Sequence, residues 1–213
     1  MNAQSSAVLL LAVHIIGGSI ALLSAAIALA TKKGGSQHKF FGKLYVGGML
    51  GVFLSALPLA VLTTNVFLFL IGIFSFYLVF SGFRFARNRT GQPKIWDWIA
   101  VSLMLLSGIG MWILSYSFYS AENGQWVTLL IFGAIATILG TTDAVTWSKR
   151  EATGKKRIAR HLTNMMAGTI ATVTAVLVVN VATDPVWIAW IAPTVVITPF
   201  IFYWNKRTLS TSQ

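Results

Sequence analysis

Cysteine is absent from this chain. Disulfides, thiolate metal sites and a cysteine nucleophile are thereby excluded. Acidic residues are scarce, with five Asp and Glu against sixteen Lys and Arg. So few carboxylates leave no pair suited to glycoside chemistry. Histidine is limited to His14, His38 and His161. There is no H-E-x-x-H or H-x-x-x-H pair, no glycine loop built to cradle phosphate and no catalytic triad. Charge of either sign is thin, at 10% of residues, where a soluble domain carries about 25%. No polar tract is long enough to fold into a soluble domain.

What is present is apolar. Hydrophobic residues make up 56% of the chain and mean hydropathy is +0.75. The composition is that of a membrane protein. The N-terminal segment lacks a basic leader, and its apolar run of about 25 residues exceeds the roughly 7–15 of a cleaved signal peptide. It is expected to be the first spanning helix. Seven segments reach the ~20 apolar residues a span requires, at roughly 7–31, 42–62, 66–85, 96–118, 126–147, 161–182 and 185–204. The fold class expected is therefore all-α, a polytopic bundle of seven transmembrane helices forming one domain over residues 1–213. Pro185 suits the first turn of the last helix.

The basic residues test that count. Lys32, Lys33, Lys39 and Lys43 lie in or beside the first connection, and Arg84, Arg87, Arg89 and Lys94 surround the third. Lys149, Arg150, Lys155, Lys156, Arg157 and Arg160 fill the fifth, and Lys206 and Arg207 lie in the tail. These are all sixteen; the second, fourth and sixth connections have none. With seven spans every basic cluster falls on one side, which the positive-inside rule makes cytoplasmic. The N-terminus is then outside and the C-terminus inside, in the cell (inner, cytoplasmic) membrane. The net charge of +11 would suggest nucleic acid in a soluble protein. Here topology and anionic lipid account for it, so the expected partner is the bilayer and not nucleic acid.

Small residues Gly17, Gly18, Ala21, Ala25 and Ala28 form a stripe on the first helix, and His14 shares their face. The second helix carries Gly47, Gly48 and Gly51. Such faces let helix backbones approach closely, and could also join a second copy into a homo-oligomer. Pro58, Pro193 and Pro199 fall inside spans, where bends are expected.

Ionisable side chains at membrane depth are functional candidates by default. They are His14 in the outer half of the first helix, and His38, Arg84, Asp97, Asp143 and His161 near the cytoplasmic boundary. Tyr45 and Asn164 are polar neighbours, with Asn164 and Met165 following His161 at i+3 and i+4. His38, His161 and Asp143 form the candidate metal- or cofactor-binding set. Two histidines and a carboxylate suit zinc or non-haem iron with open positions. The same two histidines could instead ligate haem b, with aromatic residues lining its pocket. Either site requires helices two, five and six to be neighbours. The alternative for Asp143 is a structural ion pair with Arg84 or a basic loop residue. The alternative for His38 is a boundary residue at a helix start, and for His14 a hydrogen bond between packed helices. A weak echo also links helices one and two with five and six, since each pair reads span, basic loop, histidine, span.

The stretches "HIIGGSIALLSAAIAL", "KKGGSQHKFFGKLYVGGM", "FYLVFSGFRF" and "RHLTNMMAG" resemble a bacterial family of multi-pass membrane proteins defined by a domain of unknown function. His14, His38, Gly42, Tyr45, Met49, Asp143, Arg160, His161 and Met165 stand at the positions of that family's pattern. Lys39 and Lys43 replace expected arginines. The resemblance covers most of the chain and brings no reaction with it. Three functions remain: a cytoplasmic-face metal or haem site, proton-coupled transport or sensing, and a structural membrane protein without catalysis.

Overall fold

The computed structural model describes residues 3–210. Among them are seven α-helices and no strand: α1 (Ala3–Ala30), α2 (Ser36–Leu62), α3 (Val66–Arg87), α4 (Ile95–Ser120), α5 (Trp126–Ser148), α6 (Gly154–Asn180) and α7 (Trp187–Ser210). All seven are long and apolar enough to cross a membrane, so this is a multi-pass integral membrane protein. Only helices can do so here, because lipid offers no partner for an open backbone. Pro58, Pro193 and Pro199 lie within α2 and α7, which continue through them as α-helix.

Each helix overlaps an expected span, but several run longer: α2 starts at Ser36 where 42 was expected, and α7 ends at Ser210 where 204 was expected. The sixth helix starts at Gly154, not near residue 161, so Arg157 and Arg160 are helical. Lys, Arg, Ile and Ala all sustain a helix, and the run KKRIAR carries α6 a further two turns outward. Pro185 stays in the connection before α7, which begins at Trp187.

Helix contacts divide the chain into two units, Met1–Phe76 and Tyr77–Gln213, with the division falling inside α3. In the first unit α1 packs on α2. A Cβ at Gly48 would lie 2.7 Å from the Gly17 carbonyl oxygen and 2.9 Å from the Ala21 nitrogen. Only glycine permits that crossing. Ala21, Ala25 and Ala28 continue the buried stripe, whereas Gly18 meets only a Val52 methyl at 3.8 Å and Gly47 faces open space. Phe53 and Phe76 stack with ring centres 4.3 Å apart, tying α2 to the first part of α3.

In the second unit α4 and α5 cross where Gly108 meets Gly133: a Cβ on either would stand 3.1–3.2 Å from the other's carbonyl oxygen. The Trp112 indole closes over Gly133 and donates to the Leu130 carbonyl at 3.2 Å. Met166, Ile170 and Ile201 form the α6–α7 core. The α3–α4 connection touches the α5–α6 connection, because Gly91 (φ +71°) sits against the Arg150 carbonyl and Thr153. At the other end Gly124 meets Val186, so the α4–α5 and α6–α7 connections share that end. The first end carries every Lys and Arg between residues 84 and 160; the second carries Glu122 and Asp184 and no cation.

Candidate functional site

The site is a buried charge cluster on α3, α5 and α6. Asp143 lies one turn inside the end of α5 and is 0% exposed. An isolated carboxylate there would be prohibitively costly, so its oxygens must be matched by donors. Tyr77 and Ser81, four residues apart on α3, donate their hydroxyls to Oδ2 at 2.7 and 2.9 Å. Arg160 and Asn164, four apart on α6, come from the other side. The Arg160 Nε donates to Oδ1 at 2.8 Å and Nη2 donates to the same oxygen. The Asn164 amide donates to Oδ2 at 3.1 Å and reaches Oδ1 at 3.4 Å. Each i, i+4 pair works because those positions stack on one helix face.

A carboxylate has about four acceptor sites, and these donors fill them. Asn164, also 0% exposed, must turn its amide nitrogen to the carboxylate, since its oxygen would be repelled. Its Oδ1 is consequently a buried acceptor lacking a donor among the described residues. Arg160 is the member that touches solvent, with 15% of its side chain exposed. The guanidinium lies over the Phe85 ring, 6.0 Å from its centre, and Phe85 stacks on Trp147 at 4.4 Å. These aromatic rings are buried and screen the ion pair from water.

The next turn of α6 docks on the end of α3. Arg157 donates to the carbonyls of Phe85 (3.2 Å) and Ala86. His161 Nδ1 lies 2.9 Å from the Gly82 oxygen. A carbonyl can only accept, so His161 donates from Nδ1. Met165 follows on the same face, and a Cβ at Gly82 would come within 2.8 Å of it. Asn164, expected on the histidine's face, turns to Asp143 instead.

A second ion pair lies at the same end. Arg84 meets Asp97 through a two-pronged contact, Nε to Oδ1 at 2.6 Å and Nη2 to Oδ2 at 2.8 Å. Asp97, only 1% exposed at its side chain, also accepts the Lys94 backbone N–H at 2.8 Å, closing the first turn of α4. The sequence offered Arg84 or a loop cation as the partner of Asp143. Arg84 is committed to Asp97, and the partner is Arg160.

In the first unit, His38 Nδ1 is 2.9 Å from the Ala28 oxygen and so donates to the last turn of α1. Lys33 also reaches those carbonyls, at Ala28 (3.2 Å) and Leu29. Partial burial holds its ammonium below the ordinary lysine value. His14 is half-buried, with Nδ1 3.3 Å from the Ser55 hydroxyl of α2, which is the interhelical bond its packing face suggested. Tyr45 is buried, at 3% exposure.

Among the described residues no three His, Asp or Glu side chains gather as a metal would require. Within the second unit Asp143 is matched by four side chains. His38 and His161 each place Nδ1 against a helix carbonyl. The sequence reading set Arg160 in the fifth connection, whereas it lies on α6. The signal for the cluster was the pair of i, i+4 polar couples, 77/81 and 160/164. No protein-family model, curated protein or solved structure matches this chain.

Proposed function

We propose that this is a membrane protein that works by conformational change, a transporter or sensor, with the Asp143 cluster as the latch at one end of α3, α5 and α6. One observation carries the reading: a fully buried carboxylate is bonded to two other helices at once, through Tyr77 and Ser81 on α3 and Arg160 and Asn164 on α6. Such an ion pair is a poor device for stability alone, since desolvation offsets much of its attraction. It is a good device for holding one arrangement of helices against another, because the half-broken state is strongly disfavoured. By the positive-inside rule the latch lies at the cytoplasmic end. Membership of the family of unknown function is part of the same reading, supported by the histidine, Arg160 and Met165 motifs.

The test uses the absence of cysteine. Spin labels on Arg89→Cys and Lys155→Cys report the latch end, and labels on Glu122→Cys and Asp184→Cys report the other. Asp143→Asn is expected to shift or broaden the distance distribution at the latch end and leave the other unchanged. Identical distributions at the latch end would make the cluster a static clamp and sink the reading.

A second reading rests on the contact between His161 Nδ1 and the Gly82 carbonyl. Donation from Nδ1 to a backbone carbonyl is how ligating histidines are oriented, with Nε2 as the donor atom to a metal or haem. Metal analysis and an absorbance spectrum of the purified protein decide it. Stoichiometric metal or a Soret band lost in His161→Ala supports the reading; a colourless, metal-free protein ends it.

A further inference from the structure

The hollow at the α3–α4 connection has about 510 Å³ of room and is lined by Arg84, Arg87, Arg89, Thr90, Gln92 and Lys94, among others. Arg84 is held by Asp97, and that buried carboxylate is itself fully engaged by Arg84 and the Lys94 N–H. Glu151, on the connection that touches Gly91, pairs with Lys156. Arg87, Arg89 and Lys94 are exposed, and no carboxylate lies within ion-pair reach of them among the described residues. Three exposed cations thus line one hollow without an ion-pair partner among the described residues, which gives it a positive potential that attracts an anion.

The rim is ordered before any ligand arrives. Asn88 donates to the Gln92 carbonyl at 2.6 Å, and the Thr90 hydroxyl donates to Asn88 Oδ1 at 3.0 Å. Gly91 takes a positive φ and is wedged against the α5–α6 connection. A preformed rim loses little entropy on binding. Ile95 and Trp96, each 65% exposed, follow directly on α4. Exposed tryptophan beside lysine marks headgroup depth.

We propose that this hollow is a binding site for a phosphate group, with Arg87, Arg89 and Lys94 as its cationic ligands and the Gln92 side-chain amide as a neutral donor. Arginine forks match phosphate oxygens, and lysine adds a point charge. The phosphate comes either from an anionic lipid headgroup at the level of Trp96 or from a soluble phosphate ester.

Binding is measured on the full chain in uncharged detergent by titration calorimetry and native mass spectrometry. The probes are dioctanoyl phosphatidic acid, dioctanoyl phosphatidylcholine and inorganic phosphate. Wild type is compared with Arg87→Gln/Arg89→Gln/Lys94→Gln, and with Lys32→Gln/Lys39→Gln/Lys43→Gln, which removes equal charge from the first unit. The hollow variant is expected to bind phosphatidic acid at least about tenfold more weakly, and the control within about twofold of wild type. Binding of phosphatidic acid alone assigns the source to lipid; parallel binding of inorganic phosphate assigns it to a soluble ester. Equal losses in both variants would reduce the effect to diffuse charge and overturn the site, as would wild-type binding no better than to phosphatidylcholine. Arg89→Gln alone, at an exposed position, gives the same sign by about threefold and serves if the triple variant misfolds.

Discussion

At the scale of single residues, one device recurs. His38, in the first turn of α2, and His161, two turns into α6, each place Nδ1 against a carbonyl of an earlier helix, Ala28 on α1 and Gly82 on α3. The Ala28 carbonyl lies in the last turn of α1, where intrahelical donors run out and the helix dipole is negative, so an imidazole N–H is well used there. Asp143 has the opposite need, and all its partners are donors. Replacing it with Asn leaves Arg160 buried against Phe85 without its counter-charge, and stability should fall by about 3–5 kcal/mol. The double change Asp143→Leu/Arg160→Met should be less damaging than Asp143→Asn alone, because no orphan charge remains. Chemical unfolding in detergent measures both, and a double variant as unstable as the single would refute the ion-pair account. Glu151 marks the contrast. Its hydrogen bond to Lys156 at 3.0 Å holds its carboxyl below the ordinary value. A depressed folded-state pKa gives stability present above the unfolded value and lost as pH falls through the folded one. Glu151 is fully exposed, so solvent screens that contribution. Glu151→Gln should leave the acid-unfolding midpoint of the protein unchanged, and a clear shift would show a coupling the geometry lacks.

At the scale of helices, small residues decide who packs with whom. Both GxxxG-like faces were legible in α1 and α2, but not which glycine does the work. Sequence treats Gly47 and Gly48 alike; the crossing places Gly48 against Gly17 and leaves Gly47 facing nothing within 4 Å. Gly48→Ala should therefore destabilise the protein by about 1–3 kcal/mol through overpacking against backbone. Gly47→Ala should be neutral, or stabilising by up to about 1 kcal/mol through helix propensity. Thermal unfolding of the two variants side by side checks the pair, and equal effects would mean the crossing is misplaced. The Gly108–Gly133 crossing was not picked out in the sequence, because a lone glycine in an apolar helix carries no signal of the backbone opposite it. The start of α6 was misjudged for a related reason. Charge density in KKRIAR reads as loop, yet a helix projects past the apolar zone when its cations bond neighbouring carbonyls, as Arg157 does at Phe85 and Ala86.

At the scale of the whole molecule, charge is segregated along the chain. In the second unit the ends joined by Gly91 and Thr153 are basic, and the ends joined by Gly124 and Val186 are not. We expect the basic end to face the cytoplasm. Single cysteines at Gln37, Thr90 and Lys149 should react with a membrane-impermeant maleimide only in inside-out vesicles. Single cysteines at Glu122 and Asp184 should react only in intact cells. The reverse pattern would invert the topology, and mixed labelling within either set would break the seven-span path.

The sequence alone determined the number of spans, their order and the grouping of every cation into alternate connections. Those properties are local sums of hydropathy and charge, and lipid enforces them segment by segment. It also found most of the polar side chains that matter, since polar groups in apolar runs stand out. Only the tertiary structure decided their partners. Asp143 lies 17 residues from Arg160, 62 from Ser81 and 66 from Tyr77. Pairing across such separations follows from which helix faces meet, and a buried carboxylate takes whichever donors that packing supplies. That is why the sequence could mark Asp143 as a candidate but could not name Tyr77, Ser81, Arg160 and Asn164 together as its partners.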